Sequence, residues 1–192
     1  DIEEIKNKKK ISCTPFMVDE VWMSPHFEFS MQYYETYYGC PIKVCPYIWS
    51  SEFIDKEEKL ANRANRTMHH DPEKEIALCC LDSNMTFLKT CIPSITAFEY
   101  LIKKYDVKLN LDLYCSAHLI DKNYFNSWIK PLKTSTDNRI TYYDRHPPSK
   151  IFGPNNYGCI SHQVFCDLNY SYLECLYFGV PIVHNSKYFE DF

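Results

Sequence analysis

The 192-residue chain has ten cysteines and no Cys-x-x-Cys. That spacing frames zinc ribbons and dithiol redox sites, so its absence argues against both, and the scattered spacings argue against a disulfide scaffold. No apolar run reaches the roughly 18 residues that a membrane-spanning helix needs. The first residues lack the basic, apolar and small-residue order of a signal peptide. Positive charge is not in excess. The 21 Lys and Arg stand against 25 Asp and Glu, a net charge of -4 that argues against a nucleic-acid coat. Two signatures of other α/β enzymes are also missing: the Cys-x5-Arg loop of phosphatases and the Gly-x-Ser-x-Gly elbow of hydrolases. Glycine is scarce, at four residues, and Asn, Lys, Ile and Tyr are abundant, as expected of an AT-rich viral or parasite genome.

What is present is core material. Hydrophobic residues make up 45% of the chain, with 16 Tyr and 12 Phe, enough for one good domain or two small ones. Cys45, Cys79, Cys80 and Cys159 fall in apolar runs that read as strands, and Cys91 and Cys175 in helix-like stretches. Unpaired cysteine is a common small core residue. Reduced, buried thiols are therefore expected, and with them a cytoplasmic location. "DIEEIKNKKK" at residues 1–10 reads as a charged tail or a frayed helix, its lysines a solvated end. The chain opens on Asp rather than Met, as expected of a fragment or a processed piece.

The expected fold is α/β, a Rossmann-like parallel sheet with flanking helices. Residues 11–55 read strand, helix, strand: "DEVWMS", stopped by Pro25, then "FEFSMQYYETYYG", with Gly39 past its end, then "PIKVCPYIW". Residues 56–74 read as a polar, Asn-rich linker. From residue 75 to 192 a second alternation predicts strands at "EIALCCLD", "VKLNLDLYC", "RITYYD", "GCISHQ" and "VPIVHN". Between them lie helices at "SITAFEYLIKKY", "KNYFNSWIKPL" and "NYSYLECLYFG". Strands alternating with helices imply crossover units and a parallel sheet. Such sheets bind ligands beyond the carboxyl ends of their strands.

Two strand ends carry chemistry. After the strand ending at Leu81 come Asp82, Ser83 and Asn84, with Lys89 about where a helix is expected to begin. A helix N-terminus beside a Lys suits a phosphate; the same residues also read as a helix cap beside a surface Lys. After Ile160 come Ser161 and His162, and then Asn169 and Tyr170 opening the next helix, a second anion seat. Glu174 sits one turn into that helix among Leu, Cys and Tyr. A carboxylate there needs donors, and a pair of sugar hydroxyls would supply them; a solvent-facing Glu is the alternative. Together these residues suggest a ligand with a diphosphate and a ribose.

"SHQ…LNYSYLECLYFGVPIVHNS" resembles the C-terminal donor site of GT-B glycosyltransferases, in which a helix with a ribose-binding Glu precedes a Gly-x-Pro turn. It is more similar still to an uncharacterised GT-B-like family of bacteria, phages and large viruses. "DEVWMSPHFE", "VCPYIWSSEFID" and "LDSNMTFLKTCIPSITAFE" resemble further segments of that family in the same order. The resemblance implies transfer of a sugar from a nucleotide diphosphate donor, a UDP-sugar being the expected one, to an unknown glycan, protein or modified base. It implies no bound metal or other cofactor, and no Asp-x-Asp is present. Asn84, Lys89, Ser161, His162, Asn169, Tyr170 and Glu174 would hold the donor, and His26 would be the catalytic or acceptor-side group. Residues 11–55 would be the end of an acceptor domain, whose remainder would be a partner in the complete enzyme. Val164, Phe165, Cys166 and Asp167 stand where the family has Trp-Glu-Asn-Pro, and Cys166 where many retaining enzymes have a Glu. These departures leave the sugar and the stereochemistry open. They also favour the alternative of a non-catalytic nucleotide-sugar-binding or scaffolding module.

Overall fold

The computed structural model describes residues 18–60, 76–152, 157–164 and 169–187. The 1–10 tail, most of the expected linker and Phe165–Asp167 lie outside the described residues. The chain divides into two units, the first ending at Ile48 and the second starting at Trp49. The break falls earlier than the composition suggested, because Trp49 and Ile54 pack into the core of the second unit.

In the first unit, β1 (Val21–Met23) pairs in parallel with β2 (Ile42–Val44). Pro25 opens a 3-10 turn over Pro25–Ser30, where an α-helix had been expected to start. It leads into α1 (Met31–Tyr38), which Gly39 ends at φ 64°. That is a left-handed conformation which costs glycine little.

The second unit opens with α2 (Glu52–Leu60). Then follow β3 (Ala77–Cys80), α3 (Ile92–Tyr105), β4 (Asn110–Leu113), α4 (Asn123–Ile129), α5 (Lys133–Thr136) and β5 (Ile140–Tyr142). The unit closes with α6 (Pro148–Phe152), β6 (Tyr157–Ile160), α7 (Tyr170–Tyr177) and β7 (Ile182–Val183). The five strands form one parallel sheet in the order β5-β4-β3-β6-β7. The expected Rossmann-like α/β architecture is therefore present. No helix among the described residues is long and apolar enough to cross a membrane.

The strand pattern explains both layers. Side chains alternate across a strand, so the adjacent Cys79 and Cys80 serve opposite faces. Cys79 joins Cys159, Cys175, Phe152, Phe178 and Val180 on the α6/α7 side. Cys80 joins Ile95, Phe98, Leu111, Leu113 and Phe125 on the α3/α4 side. A strand buried on both faces reads as a continuous apolar run, which is why "ALCC" shows no alternation. All eight cysteines among the described residues are free, and five of them are buried.

Among the buried polar groups, Glu99 joins two helices. Glu99 on α3 accepts hydrogen bonds from the backbone N–H of Lys133 and Thr134, both at 2.9 Å, and from the Thr134 hydroxyl at 2.8 Å. It also pairs with Lys103 at 2.8 Å. It thus caps α5, whose own N-cap, Leu132, has no capping oxygen. Burial alone would push this carboxyl up; the bonds from Lys103, Thr134 and Lys133 outweigh that and hold it at about 2, against an ordinary 4.5. A carboxylate depressed in the folded state stabilises above its ordinary pKa and loses that contribution as pH falls toward the folded value. Glu99→Gln is therefore expected to lower the unfolding free energy by about 2 kcal/mol at pH 7. In urea titrations the gap from the parent protein should close between about pH 4.5 and pH 2. A gap that stays constant over that range would show that the charge of Glu99 does not stabilise the fold.

Candidate functional site

The strand order places a topological switch point between β3 and β6: the chain moves from β3 toward β4 on one side and from β6 toward β7 on the other. The connections after these two central strands diverge, and a crevice opens between them. Here it is a cleft of about 1150 Å³, formed by the segments that follow the strands' carboxyl ends.

From the β3 side come Ser83, Met85 and Lys89; from the β6 side come Asn169, Tyr170, Ser171 and Glu174 at the start of α7. The expected convergence of Lys89, Asn169, Tyr170 and Glu174 on one crevice is thus present. Lys89 does not open a helix, since α3 starts at Ile92. It closes a tight loop instead, with Asn84 N–H donating to the Lys89 carbonyl at 2.9 Å and Lys89 N–H to the Thr86 carbonyl at 3.2 Å. Lys89 also bridges to Gln163, and Val164 N–H donates to the Leu88 carbonyl, so the loops after β3 and β6 are stitched together at the switch point. At α7 the Asn169 side chain makes no capping bond. The first turn of any α-helix has N–H groups without an intrahelical acceptor, and at this end they carry its positive dipole.

Other expected ligand residues are placed differently. Asn84 does not line the cleft. Its side chain donates to the Asp82 and Cys115 carbonyls at 2.9 and 3.2 Å and accepts from Cys91 N–H at 2.7 Å, at φ 55°. It is a clamp between three segments. Ser161 is buried and donates to Asp82 Oδ1 at 2.8 Å. His162 is half-buried and does not line the cleft; its Nδ1 is enclosed without a hydrogen-bond partner among the described residues. His26 belongs to the first unit, just past the carboxyl end of β1, where Nδ1 meets the Tyr47 hydroxyl at 2.6 Å and the rings stack.

Beneath the switch point, Asp82 is 1% exposed. Gln163 Nε2 donates to its Oδ1 at 3.2 Å and the Cys80 thiol to its Oδ2 at 3.3 Å, beside the Ser161 bond. Burial pushes this carboxyl above its ordinary value, against the pull of those donors.

The sequence reading missed the other half of the cleft. Tyr114, Cys115 and His118 follow β4, and Asp144, Arg145, His146 and the two prolines follow β5. Burial pushes the Cys115 thiol up, so it is a poor nucleophile at neutral pH. The signal for this half was present: the strand predicted at "RITYYD" ends on Asp144 and "RHPP" directly follows it, the position to which the carboxyl-end rule points.

A family model described as "Protein of unknown function (DUF2827)" matches residues 6–192. The chain belongs to this DUF2827 family. No curated protein and no solved structure matches it. In this DUF2827 chain one half of the cleft stands on the segments after β3 and β6, the two strand ends that carry chemistry in the sequence, and the other half on those after β4 and β5.

Proposed function

We propose that this protein binds a nucleoside diphosphate sugar in the cleft and serves as a glycosyltransferase or the donor-binding portion of one. The observation that carries the reading is the joint placement of Lys89, the α7 N-terminus and Glu174 at one mouth of a parallel sheet, over its switch point. Lys89 and the α7 N–H groups would receive the diphosphate. As the bond from the anomeric carbon to the β-phosphate oxygen breaks and an acceptor oxygen bonds to that carbon, negative charge grows on the diphosphate. The Lys89 ammonium and the helix dipole would stabilise that charge more than they stabilise the bound donor. Glu174 would accept hydrogen bonds from the two ribose hydroxyls.

The test is calorimetry of the folded chain against nucleoside diphosphates and their sugars. Glu174→Gln keeps the shape but weakens the acceptor, and is expected to cost about tenfold in affinity in a variant that melting curves show to be folded. Absence of heat with every nucleotide would remove the reading.

One observation favours the second reading, a nucleotide-sugar-binding module without turnover. Ser161 and Asn84, both expected to touch the donor, are engaged by Asp82 and by backbone groups. Binding with no transfer by any form of the protein would decide for it.

A further inference from the structure

The cleft extends past the reach of a diphosphate seated at α7 and Lys89. Neighbouring strands lie about 4.8 Å apart, so the three steps from β6 through β3 and β4 to β5 carry its mouth roughly 14 Å. A distinct set of groups stands at the β5 end. The Tyr114 ring stacks on Tyr143 at 5.0 Å and 17°, with His146 5.7 Å from Tyr114. Beside these rings, Asp144 and Arg145 are exposed and line the cleft. No side-chain hydrogen bond or ion pair among the described residues occupies either one.

This end is also held in place. Ser116 and Ala117 N–H both donate to the Tyr143 carbonyl, at 2.9 and 3.2 Å, and Cys115 N–H to the Asp144 carbonyl at 3.4 Å. The loops after β4 and β5 are thereby zipped to each other. Asn84 fixes the Cys115 carbonyl from the β3 side. A carboxylate and a guanidinium, adjacent in sequence, therefore project from a braced rim next to flat rings.

The chemistry of such a pair is selective. A carboxylate offers two acceptor oxygens and a guanidinium a fork of donors. A planar ring that suits both must present two adjacent N–H donors and, beside them, two acceptors. Guanine has this pattern, with N1–H and the N2 amino group together and O6 and N7 next to them. Adenine and cytosine set a ring acceptor beside the amino group, and uracil flanks its one N–H with two carbonyls. Each of these would turn an acceptor toward an oxygen of Asp144.

We infer that Asp144 and Arg145 read the edge of a guanine base at the β5 end of the cleft, so that the ligand is a GDP-sugar rather than the expected UDP-sugar. This rests on the nucleotide-sugar reading above and narrows it to one base.

The experiment is calorimetric titration of the full chain with GDP, UDP, ADP and CDP, repeated on Asp144→Asn and Arg145→Gln after melting curves confirm that both fold. GDP is expected to bind at least about tenfold more tightly than the other three. Asp144→Asn should remove that preference by weakening GDP alone, and Arg145→Gln should weaken GDP most. Equal binding of all four, tighter binding of another base, or a GDP preference that survives Asp144→Asn would overturn the base assignment while leaving the nucleotide reading intact. No binding of any of the four by folded protein would overturn the nucleotide reading and this inference with it.

Discussion

Lys89→Ala is expected to weaken nucleoside diphosphate binding by roughly thirtyfold at low salt, about 2 kcal/mol for one ammonium–phosphate bond. The loop should survive the change, because main-chain atoms hold it: the Lys89 carbonyl accepts from Asn84 N–H and the Lys89 N–H donates to Thr86. An unchanged melting temperature beside the lost affinity separates a ligand contact from a structural one. The parent protein should also lose affinity as salt rises, through screening of its exposed charges, and the variant should lose less. Lys89→Arg keeps a cation and should recover part of the affinity. If Lys89→Ala bound as tightly as the parent, the phosphates would not lie at this end of the cleft.

Asp82→Ala is expected to destabilise the protein by about 3 kcal/mol, since Ser161, Gln163 and Cys80 would each lose a buried acceptor. Asp82→Asn keeps one carbonyl oxygen and should cost under about 1 kcal/mol at pH 7. The pH dependence runs opposite to that of Glu99. A carboxyl whose folded pKa is raised holds its proton in the native state after the unfolded chain has released it. Stability from this group is therefore greatest at low pH and falls as pH rises from the ordinary value of 3.8 through the raised one. Asp82→Asn should lack that slope. Urea denaturation of both variants and the parent in reducing buffer, from pH 3 to pH 8, reads both effects. Parent and Asp82→Asn curves that run parallel would show that burial does not perturb Asp82.

Most of the second unit was legible because its signals are local. A continuous apolar run gave β3, helical spacing with a basic last turn gave α3, and "YFGVP" gave the end of α7 and the turn at Gly179, which does adopt φ 67°. Lys89, Asn169, Tyr170 and Glu174 were legible as cleft residues because they follow strands in the chain as they do in space. Asn84 and Ser161 were not, because the side chain's partner decides its role and that partner lies far away in sequence. Ser161 meets Asp82, and Asn84 meets Cys115, only after the sheet has formed. The β4 and β5 rim was passed over because neither strand end carries a familiar phosphate or ribose pattern, only a ring cluster and an Asp-Arg pair.

The position of Asn84 has a consequence for how tightly any occupant can be held. Three segments that would otherwise fluctuate separately, the ends of β3 and β4 and the start of α3, are tied through one amide. An incoming molecule meets a floor that is already ordered, so association need not freeze those loops and more of the contact energy appears as affinity. The cleft is braced from below by a residue outside its lining.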